Sequence, residues 1–179
     1  MMSGVLIERN DLSALKGIIG KRLIYTYDVG RRHELYVKNA DTIDYRMHTG
    51  IIANRWVRDQ KVHIARIAEG IFKISWVDPT GTCTSLAFNL NERRVYGTAY
   101  FPRWMMDHPE KSVCYQNDHI SEMEALRDKG PIHPVEFFEE NAVVECIQDC
   151  GLNNESLIAC GPQELPNDFL DELIRAQAA

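Results

Sequence analysis

No run of apolar residues in this chain approaches the roughly 20 that a membrane-spanning helix needs, and Met1 to Asn10 mix Glu8 and Arg9 among few apolar neighbours. A helical membrane anchor is therefore not expected, and a cytoplasmic location is. Basic residues are in deficit: 20 Lys and Arg against 26 Asp and Glu leave a formal charge of -6, with no basic stripe to neutralise phosphates. Nucleic acid is not an expected partner. The five cysteines (Cys83, Cys114, Cys146, Cys150, Cys160) are odd in number and contain no C-x-x-C pair, which argues against a disulfide framework or a zinc ribbon and for reduced structural thiols. The six histidines show no H-E-x-x-H or similar spacing and no glycine-rich phosphate loop is present, so no metal and no nucleotide cofactor are expected. Repeats and low-complexity tracts are also missing.

What is present is a soluble globular composition, 45% hydrophobic and 26% charged over 179 residues, a length at which one domain with one core is the default. From Lys21 to about Pro102 the chain reads as short segments rich in Val, Ile, Tyr, Thr and Trp, punctuated by Gly, Asn and Asp. The expected strands are Arg22–Tyr27, His33–Lys38, Thr42–His48, Ile51–Ile67, Ile71–Trp76, Thr82–Asn89 and Arg94–Phe101, with a last one from Glu139 to Asp149. Their links, such as Asp28-Val29-Gly30 and Asn39-Ala40-Asp41, favour tight turns because Gly tolerates positive φ and Asn and Asp bond to their own backbone. Successive antiparallel hairpins follow. About eight strands must hide their edges, and closure into a barrel does so while leaving room for one small ligand. The expected organisation is one domain over 1–179: an N-terminal segment 1–20 with a short helix over Asp11–Ile19 capped by Asp11, a mostly β barrel over 21–150, and a C-terminal segment 151–179 with a short helix after Pro166. A further helix is expected over Ser121–Asp128, behind the capping-box pattern Ser121-x-x-Glu124.

Inward-facing polar residues would mark a site within such a barrel. Tyr25 and Tyr27 lie two apart on one strand, which sends both hydroxyls to the same face of the sheet. Wall tyrosines are common in strands, so the spacing alone leaves a structural role open. Arg55 shares a face with Val57 while Arg58 takes the other; an arginine on an apolar face is costly unless an anion meets it, and a cross-strand ion pair would serve as well as a ligand. Asp78 follows Lys73-Ile74-Ser75-Trp76 and precedes Pro79-Thr80-Gly81, a position equally suited to an ordinary turn aspartate.

Longer words carry more. Leu23-Ile24-Tyr25-Thr26-Tyr27-Asp28, Thr42-Ile43-Asp44-Tyr45-Arg46, Asn54-Arg55-Trp56-Val57-Arg58-Asp59-Gln60, Lys73-Ile74-Ser75-Trp76-Val77-Asp78-Pro79-Thr80-Gly81-Thr82, Phe101-Pro102-Arg103-Trp104, Val113-Cys114-Tyr115-Gln116-Asn117-Asp118-His119-Ile120 and Asn153-Asn154-Glu155-Ser156 closely resemble the bacterial phenolic acid decarboxylases, in order, from about Leu12 to Leu165. The resemblance implies a lipocalin-like antiparallel β-barrel, usually a homodimer. It implies an enzyme that converts p-coumaric, ferulic or caffeic acid to the 4-vinylphenol and carbon dioxide with no metal or organic cofactor. By the same resemblance Tyr25, Tyr27 and Arg55 carry over as polar site residues and position 78 as the catalytic carboxylate, with His33, Trp76, Thr82, Ile52 and Ala99 expected around the substrate.

Three positions depart from that family: Asp78 where glutamate is usual, His33 where tyrosine is usual, and Arg31 where tryptophan is usual. They leave open a diverged barrel that binds or converts a different aromatic acid. The chemistry suits the residue types. Protonation of the carbon bearing the carboxylate, driven by the phenolate through the ring, gives a quinone methide that loses carbon dioxide; this needs an acid, a carboxylate holder and donors to the phenolate. Asp78, Arg55 and the Tyr25/Tyr27 pair fill these roles in that order, or the substrate lies the other way round, with the tyrosines on the carboxylate and Arg55 with Asp78 at the phenol. His33 either brings a titrating group to the pocket mouth or is a solvated hairpin residue beside Arg31 and Arg32.

Overall fold

The computed structural model describes residues 12–178. Nine antiparallel strands form one sheet in the order β4-β3-β2-β1-β9-β8-β7-β6-β5: β1 Lys21–Tyr27, β2 Arg32–Val37, β3 Thr42–Met47, β4 Trp56–Lys61, β5 His63–Ala68, β6 Ile71–Val77, β7 Cys83–Asn89, β8 Arg94–Phe101 and β9 Glu136–Asp149. The sheet curls into a half-barrel consistent with the lipocalin-like barrel expected. Two four-strand meanders, β1 to β4 and β5 to β8, are joined by β9, which pairs with β1 on one side and β8 on the other. Its 14 residues are long enough to serve both neighbours, beginning three residues before the expected start.

Period-2 alternation explains which side chains face the interior. In β6, Phe72, Ile74 and Trp76 are buried while Lys73 and Val77 are exposed. Strand β1 is buried on both faces, because residues C-terminal to the barrel cover its outside. There α4, Phe169–Ala178, lays Leu170, Leu173 and Ile174 on Ile24 and Cys146, and the Phe169 ring lies 5.9 Å from both Arg22 and Arg46 guanidiniums. Those two arginines and His48 surround Glu34, whose side chain is fully buried. The His48 bond, Arg46 and Arg22 hold the Glu34 carboxyl below its ordinary value although burial pushes the other way.

The strand expected over Ile51–Ile67 divides. Residues 51–54 form turns, closed by Ala53 N–H to Gly50 and Arg55 N–H to Ile52, and Asn54 takes a left-handed φ of 72°. The chain then breaks at Val62, leaving β4 at one edge of the sheet and entering β5 at the other. No sequence punctuation marks that break: β-branched and charged residues alternate straight through it. Helix α1 covers only Leu12–Leu15, with turns to Gly20, and the cap expected at Asp11 lies outside the described residues. Two α-helices lie between β8 and β9, α2, Arg103–Asp107, and α3, Ile120–Lys129, with two short 3₁₀ turns, Pro109–Ser112 and Gln116–Asp118, between them. Helix α3 starts one residue before the capping-box pattern, so His119 holds the N-cap position with no side-chain cap bond, and its ring pairs with Glu122 at 3.1 Å. Among the described residues no helix is long and apolar enough to cross a membrane.

Candidate active site

One cavity inside the sheet collects every residue singled out from the sequence: Tyr25, Tyr27, His33, Ile52, Arg55, Trp76, Asp78, Thr82 and Ala99 all line it. Its polar groups divide into two ends.

At one end Arg55, 1% exposed, meets Asp78, 6% exposed, with Nη2 3.2 Å from Oδ2. The guanidinium also donates to the Ser112 carbonyl at 3.0 Å and to the Gln116 side-chain oxygen. The Tyr45 hydroxyl lies beside the guanidinium and favours its charged form. Burial opposes the Arg55 charge, yet Tyr45 and Asp78 more than compensate and its pKa is raised. Asp78 sits where β6 leaves the sheet. Its Oδ1 accepts the Thr80 N–H at 2.9 Å and the Thr80 hydroxyl, the bonding of an Asx turn. Gly81, with φ of +87°, completes that turn by donating to the Asp78 carbonyl at 3.0 Å. Further support comes from Trp104 of α2, whose indole N–H donates to the Thr80 carbonyl at 3.0 Å. Both Asp78 oxygens therefore accept hydrogen bonds.

Gln116 reaches Arg55 because its segment is fastened to β4. Trp56 stacks on Tyr115 at 3.9 Å, and the Asn117 side chain bonds both the N–H and the carbonyl of Arg58, at 3.1 and 2.9 Å.

At the other end Tyr25 and Tyr27 stand edge to face, 5.6 Å between centroids. Unbroken alternation along β1 puts Leu23, Tyr25 and Tyr27 on the inner face, and the irregularity in the β1–β9 ladder falls at Glu145 of β9. Burial raises both phenols, Tyr27 to about 12 and Tyr25 well above its usual value, so both are protonated donors at neutral pH.

His33 packs edge-on against Tyr25 and Tyr27, at 5.7 and 5.2 Å. It is a wall residue and not a solvated hairpin histidine. Burial, then the Arg31 and His48 charges, push its pKa from 6.5 down to about 3, so it does not bring a neutral-range titrating group to the mouth. The sign of the consequence follows: the unfolded chain protonates His33 below pH 6.5 while the folded chain resists until about 3. Stability is lost as pH falls through that window, about 2 kcal/mol between pH 7 and pH 5. Urea-unfolding free energies of the protein and of His33→Gln at both pH values check this; an equal fall in the two proteins contradicts it.

Among the cavity residues the sequence reading did not place in the site are Tyr45, Gly97 and Glu140, while Arg31 was noted only as a departure from the family. Tyr45, 4% exposed, faces inward from β3 with its ring 5.8 Å from Trp76. Burial raises its phenol to about 12, Arg55 drawing it down and Asp78 pushing it up. Its alternation with Ile43 was the available signal. Gly97 of β8 matters by what it omits: a Cβ there would lie 2.6 Å from the Tyr27 hydroxyl oxygen. Gly97→Ala is expected to displace that hydroxyl and lower kcat/KM by about 100-fold with the fold retained, which steady-state kinetics beside circular dichroism would measure. Arg31 and Glu140 form an ion pair in the wall beside Tyr27, and nothing in the sequence joins positions so far apart. Among the described residues no group of three or more His, Cys, Asp or Glu is placed to hold a metal ion.

Comparison with known proteins gives this site a context. A family model described as phenolic acid decarboxylase (PAD) matches residues 15–172. The chain is 55% identical over 162 residues to a probable phenolic acid decarboxylase of Vibrio cholerae serotype O1, covering 90% of this chain and 91% of that protein. It is 46% identical over 150 residues to phenolic acid decarboxylase PadC of Bacillus subtilis (strain 168), covering 84% and 93% respectively.

Proposed function

The chain belongs to the phenolic acid decarboxylase family, a family of carboxy-lyases, and from that premise we propose that it decarboxylates 4-hydroxycinnamic acids (p-coumaric, ferulic, caffeic) to 4-vinylphenols and carbon dioxide without a cofactor. The observation that carries the reading is a buried carboxylate with both oxygens accepting, Asp78, facing a pair of protonated phenols, Tyr25 and Tyr27, within one cavity.

The substrate phenol lies at the Asp78 end. A phenol O–H has a proton to donate to Asp78, whereas a substrate carboxylate there would be repelled by it, and the Arg55 charge is already matched by Asp78. Asp78 takes the phenolic proton, with Arg55 and Tyr45 beside the developing phenolate. The electron pair passes through the ring and vinyl group to the carbon bearing the carboxylate, which takes a proton from Tyr27 and leaves a quinone methide. Cleavage of the carbon–carboxylate bond releases carbon dioxide, and its electron pair returns through the ring to the phenolate oxygen. Asp78 returns its proton to that oxygen, and one proton from solvent restores Tyr27, so the net change is one proton taken up per carbon dioxide released. Trp76, Thr82, Ile52 and Ala99 supply the wall around the ring.

Incubation with p-coumaric, ferulic, caffeic and cinnamic acids in the presence of a chelator, following the ultraviolet cinnamate band, tests the reading. The three 4-hydroxylated acids are expected to be consumed and cinnamic acid spared, since it has no phenolate to push. Consumption of all four contradicts the mechanism; consumption of none favours a diverged member that binds or converts another aromatic acid.

The protein is further proposed to work as a homodimer. One row of outward residues crosses four strands in register, Val77 to Cys83 to Tyr100 to Phe137, and exposes 61%, 47% and 48% of Val77, Tyr100 and Phe137. That apolar row is the surface assigned to a second copy. Light scattering that returns the mass of one chain overturns it.

A further inference from the structure

Arg31 is a charged cavity residue that the reaction above leaves without a task. It closes the turn between β1 and β2, where the Tyr27 N–H bonds the Arg31 carbonyl at 2.9 Å. Its guanidinium carbon lies 5.3 Å from the Tyr27 ring centroid and 5.9 Å from that of Phe138. The aliphatic stem rests on Gly50, where a Cβ would come within 3.0 Å of Arg31 Cδ and where φ is +106°. One terminal nitrogen donates to Glu140 of β9. The side chain is thus held on three sides, and little rotamer freedom remains to be lost on binding.

The Nε–H of this guanidinium is buried and has no hydrogen-bond partner. A buried donor on a charged group left unsatisfied is costly, and in a ligand cavity the group able to satisfy it is the ligand. Arg55 and Arg31 in the cavity are each paired with a carboxylate, Asp78 and Glu140 respectively, and what sets Arg31 apart is its unpartnered Nε–H beside Tyr27. Resting on the substrate orientation proposed above, we propose that Arg31 is a carboxylate-binding residue of this enzyme, gripping the acid group of the substrate through Nε–H and a terminal N–H beside Tyr27, with Glu140 fixing the plane of the guanidinium. The substrate class this selects is the anionic 4-hydroxyphenyl acid, against the neutral vinylphenol product, which has no carboxylate to hold and is released more readily.

The test uses two unreactive probes. 3-(4-Hydroxyphenyl)propanoic acid keeps the phenol and carboxylate but has no double bond to carry electrons to the reacting carbon; 4-ethylphenol keeps only the phenol. Their affinities are measured by isothermal titration calorimetry for the protein, Arg31→Gln and Glu140→Gln. Arg31→Gln is expected to weaken the acid about tenfold, the scale of one hydrogen bond to a charged group, without weakening 4-ethylphenol, and Glu140→Gln is expected not to weaken the acid. KM for p-coumaric acid should rise with the same factor in Arg31→Gln. If Arg31→Gln weakens both probes alike, or Glu140→Gln weakens the acid as much as Arg31→Gln does, the pair is a structural tie and the inference is overturned. A parent protein that binds neither probe overturns the orientation together with it. Acid binding that is equally tight in the parent and in Arg31→Gln overturns the role of Arg31 alone.

Discussion

Asp78→Asn is expected to lower kcat/KM for p-coumaric acid by about 10²–10⁴-fold, the range for loss of a positioned proton-transfer group. Asparagine keeps an oxygen to accept the Thr80 N–H, so the turn persists, but the amide cannot take the phenolic proton. Circular dichroism unchanged from the parent separates lost chemistry from lost fold. Asp78→Glu is expected to move the other way. The aspartate carboxyl is drawn back into its own turn by Thr80 and reaches Arg55 at 3.2 Å. One more methylene advances it by about 1.5 Å, and a displacement near 1 Å at a reacting group is worth about 100-fold. The glutamate variant is thus expected to raise kcat/KM on p-coumaric acid toward that factor. Full turnover in the parent, with no gain in Asp78→Glu, would mean that the shorter side chain already reaches the phenol.

Arg55→Met is expected to cost about 3–5 kcal/mol of folding stability, the range for removing one partner of a buried ion pair. The loss has two parts. Asp78, 6% exposed, keeps only Thr80 as partner, and the Ser112 carbonyl and Gln116 side chain lose the donor that ties their segment to the barrel. The double variant Arg55→Met/Asp78→Leu removes the stranded charge as well, so its urea midpoint is expected to lie closer to the parent than that of Arg55→Met. If the double variant is less stable by the sum of both single changes, the two residues are not coupled and the pair is not what holds this end of the cavity.

Strand alternation was sufficient to place Tyr25 and Tyr27 on one face, since period 2 leaves no other outcome for residues two apart. The Asp78-Pro79-Thr80-Gly81 turn was legible for a similar local reason: it bonds to itself, through Thr80 N–H and Gly81 N–H. The long words around 25, 55 and 78 brought the family and the site residues together, and one cavity contains them all. Other features had no local mark. The chain passes through Val62 from one sheet edge to the other with no glycine or proline to mark the bend. Gly97 reads as an unremarkable strand glycine until Tyr27, 70 positions earlier, is seen to fill the space its missing side chain leaves. Gln116 reaches Arg55 only because Trp56, Tyr115 and Asn117 clamp two segments together.

By itself the sequence determined the mostly β fold and the inward faces of its strands, since each depends on neighbours along the chain, while the candidate site residues came from the resemblance of its longer words to a known family. Tertiary structure decided the surroundings of those candidates: that both Asp78 oxygens accept, that His33 is driven down to about 3, and that Arg31 lines the cavity with an unsatisfied N–H. Burial, charge pairing and hydrogen-bond direction belong to groups brought together across the barrel, and no period or spacing along one strand encodes them.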